Sequence, residues 1–194
     1  MKTSDQLISV VVPLQNEADI LPSFLDEAIG VLSANFDQFE LLLVDNGSND
    51  GTDLLMAGLL EKWKGIRYLR LSRRFDTQTA LTAGLDVAIG DICVTLSAES
   101  DPIQLVPQLV ELCTKTKALV VGQCRTPSGG VTSRLVGWFF HACCAKLIGV
   151  KYPRHSTFLA ALPRAAIHQM AKVRDKFRFL TTLHSQDRKS TRLN

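Results

Sequence analysis

The sequence predicts an α/β fold: a mainly parallel sheet with helices on both faces. Short β-branched or leucine-rich runs recur along the chain, segments with apolar residues three and four apart separate them, and Gly, Asn, Asp and Ser cluster where the runs end. The 194 residues, 46% of them hydrophobic, suit one domain with a sizeable core.

Leu7 to Pro13, LISVVVP, is β-branched and closed by proline, as expected of a first strand buried on both faces. Ala18 to Asn35 places Ile20, Leu21, Phe24, Leu25, Ala28, Ile29 and Leu32 on one stripe, which predicts an amphipathic helix. Phe39 to Val44 reads as the second strand, Asp53 to Lys64 as helix, and Ile66 to Leu71 as the third strand. The alternation continues with helix over Thr77 to Ala88, strand over Ile92 to Leu96, helix over Ile103 to Thr116 after Pro102, and strand over Ala118 to Gly122. Such alternation implies right-handed crossovers between parallel strands. A Gly/Ser-rich loop, RTPSGGVTSR, then leads into the apolar stretch LVGWFFHACCAKLIGV. Beyond Tyr152 the pattern weakens to a short strand near Thr157 to Ala161 and a helix from Pro163.

The net charge of +3 gives no broad attraction to nucleic acid or to an anionic membrane, so nucleic acid is not an expected partner. Cys93, Cys113, Cys124, Cys143 and Cys144 lie in apolar segments without CxxC spacing, which points to free thiols in a reducing compartment. The amino terminus makes a poor signal peptide because Pro13, Gln15 and Asn16 break its apolar run. No run reaches the roughly 18 apolar residues of a spanning helix. Asp187 to Asn194, DRKSTRLN, reads as a translated adapter joined to a truncated frame. The expected domain is therefore 1–186, incomplete at its carboxyl end, with 187–194 a non-native tail.

In an open parallel sheet, ligands gather at the carboxyl ends of strands. Asp45 sits at such an end, in LLLVDNGSNDGT, where Gly47 and Gly51 allow tight turns and Ser48, Asn49, Asp50 or Thr52 can cap the next helix. Taken alone, the stretch also fits an ordinary strand-turn-helix connection. The ordered set of strand-end motifs is more specific: VVPLQNEAD, VDNGSNDGT, LSRRFDTQTALTAGLD and LSAESDP. With these, the chain from Ile8 to Leu183 resembles the family 2 glycosyltransferases of the GT-A fold, in particular those that use polyprenyl phosphates, such as dolichol-phosphate mannose synthase.

The resemblance implies a Rossmann-like nucleotide-diphospho-sugar transferase fold and a nucleotide-sugar site. It places Pro13, Gln15 and Glu17 in the first nucleotide-contacting loop, with Gln15 where the family usually has Tyr or Phe. Asp45 would face a uracil or guanine, followed by Asn46 where a second Asp is common and by Gly47 and Ser48. Ser72 and Arg74 of SRRF would line the same pocket, Arg74 replacing a usual Asn.

The family carries an acidic motif after the fourth strand, because a departing nucleotide diphosphate needs its charge neutralised by Mg2+ or Mn2+. Here Ser97 stands at the first acid and Glu99 at the second, with Asp101 following after a one-residue shortening. Glu99 and Asp101 are the expected metal ligands, and Asp101 also suits capping of the helix that starts at Pro102. Arg125 and Arg134 resemble positions that meet an acceptor phosphate, and with Asp101 they form the expected catalytic set; solvated surface arginines are the alternative. An anionic acceptor needs placement by positive charge more than a strong general base. Trp138, Phe139 and Phe140 suit either a membrane interface or a core helix, and His141 reads as structural.

One segment departs from the pattern: HSTFLA, His155 to Ala160, carries Thr157 and Leu159 where relatives have an acid and an arginine. Downstream, Arg178 of RDKFRFL can supply charge. The expected activity is inverting transfer of a sugar from a nucleotide diphosphate to undecaprenyl or dolichyl phosphate, at the cytoplasmic face of the membrane, by a protein peripheral to it or anchored there. A degenerate relative that binds a nucleotide sugar or a partner without turnover is the alternative. A dinucleotide-binding dehydrogenase is disfavoured, because no GxGxxG follows the first strand.

Overall fold

A computed structural model describes residues 6–123, 156–172 and 191–192. Its strands are β1 (Ile8–Leu14), β2 (Phe39–Asp45), β3 (Ile66–Arg70), β4 (Ile92–Thr95), β5 (Val120–Gln123), β6 (Ser156–Pro163) and β7 (Thr191–Arg192). The helices are α1 (Leu21–Asn35), α2 (Thr52–Lys62), α3 (Thr77–Val87), α4 (Val106–Thr116) and α5 (Arg164–Lys172), with a short 3-10 turn over Ile103–Leu105.

Among the described residues the strands form one sheet in the order β3-β2-β1-β4-β6-β5-β7. β1 pairs in parallel with both β2 and β4, and β3 pairs in parallel with β2. β6 runs antiparallel to β4 and to β5, so the sheet is mixed but mainly parallel, as expected.

Alternation along β1 and β2 decides which helix covers which face. Val10, Val12, Leu14, Leu41 and Leu43 join α1, α4 and Met56 of α2 in one core cluster. Val11, Leu42 and Val44 face the opposite way, onto Ala80, Leu81 and Leu85 of α3 and Ile167 of α5. The chain steps outward from β1 to β3 with α1 and α2 on one face, then reverses to β4 with α3 on the other. A single handedness of crossover requires that change of face when the direction reverses. The reversal makes the gap between β1 and β4 a topological switch point, where their carboxyl ends leave a crevice.

Gly84 sets how closely α3 lies on the sheet: a β-carbon there would collide with Val11 Cγ1 and lie 2.8 Å from Val44 Cγ2. The ALTAGLD segment is thus a packing requirement.

Three local readings change. The first helix starts at Leu21, because Ala18–Ile20 form a turn. The fourth opens as a 3-10 turn and becomes α-helical only at Val106, where Pro107 occupies the first turn and loses no helical bond. Pro163 ends β6 instead of starting α5, and Ile92 is its partner at that strand end. Thr191–Arg192 pair with Val120 and Val121 at the sheet edge.

Cys93 and Cys113 are buried free thiols, and burial pushes both up to about 11. Cys124, Cys143 and Cys144, the LVGWFFHACCAKLIGV stretch with Trp138 and His141, and Arg178 lie outside the described residues. No described helix is long and apolar enough to cross a membrane.

Candidate functional site

The carboxyl ends of β1, β2, β3 and β4 carry the four motifs, and hydrogen bonds hold three of the loops together. At the end of β2, Asp45 is fully buried. Its Oδ1 accepts from the Ser48 N–H at 2.8 Å, and its Oδ2 accepts from the Tyr68 hydroxyl at 2.6 Å, with Arg70 Nε at 3.6 Å. Arg70 also bridges to Asp53 at the start of α2. Expected to face a base, the carboxylate instead spends both oxygens inside the protein and shapes the turn from beneath. Burial and the bond to Asp45 push the Tyr68 phenol well above its ordinary value, so it stays a donor.

Asn46 is buried too, and its amide is spent on one backbone position: Oδ1 accepts from the Phe75 N–H and Nδ2 donates to the Phe75 carbonyl, each at 2.8 Å. Gly47 has a φ of 70°, and a β-carbon on it would lie 2.7 Å from Arg74 N and 2.8 Å from the Arg73 carbonyl carbon. The β2–α2 turn and the β3–α3 loop therefore touch backbone to backbone.

The loop after β1 is stitched to the same turn. Ser48 Oγ accepts from the Asn16 N–H at 3.0 Å, and Asn16 Oδ1 accepts from the Asn49 N–H at 2.9 Å. Asp50 Oδ2 accepts from the Ala18 N–H at 2.9 Å, while its Oδ1 takes the hydroxyl and N–H of Thr52. Of the four residues expected to cap α2, only Asp50 supplies a side-chain acceptor to the first turn, and Gly51 occupies the cap position itself.

Pro13 lies within β1, opposite Val44, and Ser72 is exposed on the β3–α3 loop. Arg74 is also exposed and meets Gln15, which is half-buried. With its oxygen turned toward Arg74, the Gln15 carboxamide accepts from the guanidinium, lying 2.8 Å from Nε and Nη2 and 3.2 Å from Nη1.

The acidic turn after β4 differs from the expectation. Asp101 does not cap the helix that follows, which has no side-chain cap. Its Oδ2 reaches back to accept from the Ser97 N–H at 2.8 Å, closing the turn that the Asp101 N–H also makes with the Ser97 carbonyl. The shortened loop brings the carboxylate back onto its own turn. Its Oδ1 is buried without a hydrogen-bond partner, and burial raises the Asp101 carboxyl above its ordinary value. Glu17, across the switch point, has a buried Oε2 in the same condition. Burial first, then the charges of Glu99, Asp19 and Asp50, push the Glu17 carboxyl up to about 7. Glu99 itself is exposed.

Hard oxygen donors with uncompensated charge, two of them without partners, fit a divalent cation. Among the described residues, however, no group of three or more His, Cys, Asp or Glu is assembled to hold one. Leu159 lies in the core, and Arg125 and Arg134 fall outside the described residues.

Asn16 and Tyr68 are residues of the candidate site that sequence reasoning missed, whereas Phe75 belongs to the SRRF segment expected there. Only Asn16 left a signal, as an asparagine two residues past the end of β1, where a left-handed residue is common; its φ is 58°.

The fold is that of the GT-A glycosyltransferases. A mannosyltransferase from Pyrobaculum calidifontis in complex with GDP-Man and Mn2+ superposes with a TM-score of 0.63 at 22% identity, covering 87% of this chain and 47% of that one. Glucosyl-3-phosphoglycerate synthase from Mycobacterium tuberculosis, in complex with Mn2+, UDP and glucosyl-3-phosphoglycerate, gives 0.58 at 26% identity, covering 84% and 58%. Among curated proteins, the undecaprenyl-phosphate 4-deoxy-4-formamido-L-arabinose transferase of Aeromonas hydrophila is 28% identical over 184 residues, and that of Pectobacterium atrosepticum is 25% identical over 178. The alignments cover 93% and 91% of this chain, which spans 56% and 54% of the length of those relatives. The glycosyl transferase family 2 model matches residues 9–170, and the chain belongs to that family.

Proposed function

We propose that the protein transfers a sugar, with inversion, from a nucleotide-diphosphate donor to a polyprenyl phosphate at the cytoplasmic face of the membrane. The observation that carries this reading is the joining of the loops after β1, β2 and β3 into one surface beside the acidic turn after β4. Likeness to transferases that act on undecaprenyl phosphate supports the acceptor class.

In this reading Pro13, Gln15, Asp45, Asn46, Gly47, Ser48, Ser72 and Arg74 form or support the donor site. Asn46 and Asp45 act from beneath, by holding the loops that the nucleotide meets. Glu99 and Asp101 hold Mg2+ or Mn2+, with Glu17 beside them. A bound cation supplies neutralisation of the diphosphate charge. Arg125 and Arg134 place the acceptor phosphate, and the protein works bound to a membrane surface.

A second reading, nucleotide-sugar binding without transfer, draws on Asp101, one of whose oxygens is committed to the Ser97 N–H. Calorimetric titration of UDP, GDP and their sugars into the full chain, with Mn2+ and then with chelator, separates the two. Metal-dependent binding that Glu99→Ala weakens, followed by transfer to polyprenyl phosphate, is the expected result. Binding indifferent to metal, with no transfer, favours the second reading.

A further inference from the structure

β6 runs antiparallel beside β4, and Thr95 pairs with Ala160 where β4 ends. Continued by two residues, that register sets Phe158 level with Ser97, the first residue of the acidic turn. Thr95 is buried, and its hydroxyl donates to the Phe158 carbonyl at 2.6 Å, which fixes the β6 backbone at this point. The next side chain, Leu159, turns into the core and lies against Gly122, where a β-carbon would come within 3.1 Å of Leu159 Cδ2. Both anchors hold the backbone, yet Phe158 itself is 38% exposed.

Side chains alternate along β6: Leu159 and Ala161 join the cluster with α1 and α4, whereas Ala160 and Leu162 face α3 and α5. The same alternation directs Phe158 to the α3 side of the sheet, at its carboxyl edge. Exposed apolar residues are common on protein surfaces, so position carries the inference and exposure alone does not. The ring borders the turn whose carboxylates suit a cation. In a nucleotide-diphosphate sugar the sugar is bonded to the phosphate farther from the nucleoside, and a cation at that turn neutralises the diphosphate. The sugar of a bound donor thus lies beside the acidic turn, where the neighbour of β4 on the side away from β1 is β6.

A pyranose ring is neutral, with hydroxyls around its rim and C–H groups on its faces. A flat aromatic face carries partial negative charge and attracts such C–H groups, while it leaves the hydroxyls free to bond elsewhere. Phe158 and its sequence neighbours Thr157 and Leu159 bring no charge to compete with the cation or the diphosphate. We propose that Phe158 is the platform on which the transferred sugar of the donor rests, so that it contributes affinity for the sugar and none for the nucleotide. The inference rests on the nucleotide-sugar reading above.

The test is titration of UDP, UDP-glucose, GDP and GDP-mannose into the full chain with Mn2+ present, for the wild type, Phe158→Ala, Phe158→Leu and Phe158→Tyr. The quantity read is the ratio of nucleotide-sugar affinity to nucleotide affinity. For the base that the wild type binds, Phe158→Ala should lower that ratio about 2- to 13-fold, the size of a single contact on an aromatic face, with nucleotide affinity unchanged. Phe158→Leu keeps apolar bulk without a flat face and should lower it nearly as far, whereas Phe158→Tyr should preserve it. A ratio unchanged in Phe158→Ala overturns the proposal, and a raised KM for polyprenyl phosphate alongside it assigns the ring to the acceptor instead. Equal weakening of nucleotide and nucleotide sugar also overturns it, because the ring then supports the acidic turn. These outcomes leave the donor site standing. A folded wild type that binds none of the four overturns the donor reading and this inference together.

Discussion

Tyr68 donates its hydroxyl at 2.6 Å to the Asp45 carboxylate, which has no exposure to solvent. A buried charge is tolerable when donors surround it, and here a phenol on β3 serves a carboxylate on β2.

Tyr68→Phe removes the donor and keeps the ring, leaving Asp45 with the Ser48 N–H and a distant Arg70. The expected loss is about 1–3 kcal/mol of stability. It should appear in urea denaturation as a lower midpoint at unchanged slope.

Gly47 and Gly51 both have positive φ, at 70° and 89°, but a β-carbon at Gly51 meets nothing within 4 Å whereas at Gly47 it runs into the Arg73–Arg74 backbone. Gly51→Ala should therefore cost only the left-handed strain, about 1–2 kcal/mol. Gly47→Ala should cost more and also weaken nucleotide binding, by pushing the β3–α3 loop off the turn. Thermal melts and nucleotide titration of the two variants check the contrast.

Glu40 lies at the opposite end of the sheet from the site, bonded to the Ser9 hydroxyl, the Ile89 N–H at 2.7 Å and Arg67 at 2.7 Å. Burial pushes its carboxyl up, but the bonds from Ile89, Ser9 and Arg67 outweigh burial and leave it below its ordinary value of 4.5. A lowered folded value means stability that is present above pH 4.5 and lost as pH falls through the folded value. Glu40→Gln should lower stability at neutral pH and flatten its acid dependence. A stability–pH curve unchanged from the wild type would refute this.

Glu17 has the reverse sign. Its folded value of about 7 exceeds the ordinary 4.5, so the unfolded chain gives up this proton first as pH rises. Glu17 should therefore lower stability progressively from pH 4.5 to 7, with no further change above. With chelator present, Glu17→Gln should remove that fall and be the more stable protein at pH 8, as read by chemical denaturation.

The parallel half of the sheet was legible because a strand buried on both faces leaves a continuous apolar run, as LISVVVP and FELLLV do. The strand-end motifs marked the loops of the candidate site for the same reason, since turn residues follow the runs. What the sequence hid is where side chains spend their hydrogen bonds. Asp101 reads equally well as a cap for the helix ahead or a clasp on Ser97 behind, and only the path of the shortened loop decides. Asn46 and Phe75 lie far apart in sequence, and no local pattern pairs an amide with a distant peptide. Pro163 looks like a helix start because its φ suits a first turn, yet it suits a strand end equally.

The Asn46 clamp on Phe75 has a kinetic consequence. A loop that orders only when ligand arrives subtracts the entropy of ordering from affinity and slows capture. With the β3–α3 segment already bonded to the β2–α2 turn, that cost is met during folding. Nucleotide capture on this side of the crevice should follow a single exponential without a slow isomerisation, and differences among nucleotides should reside in residence time.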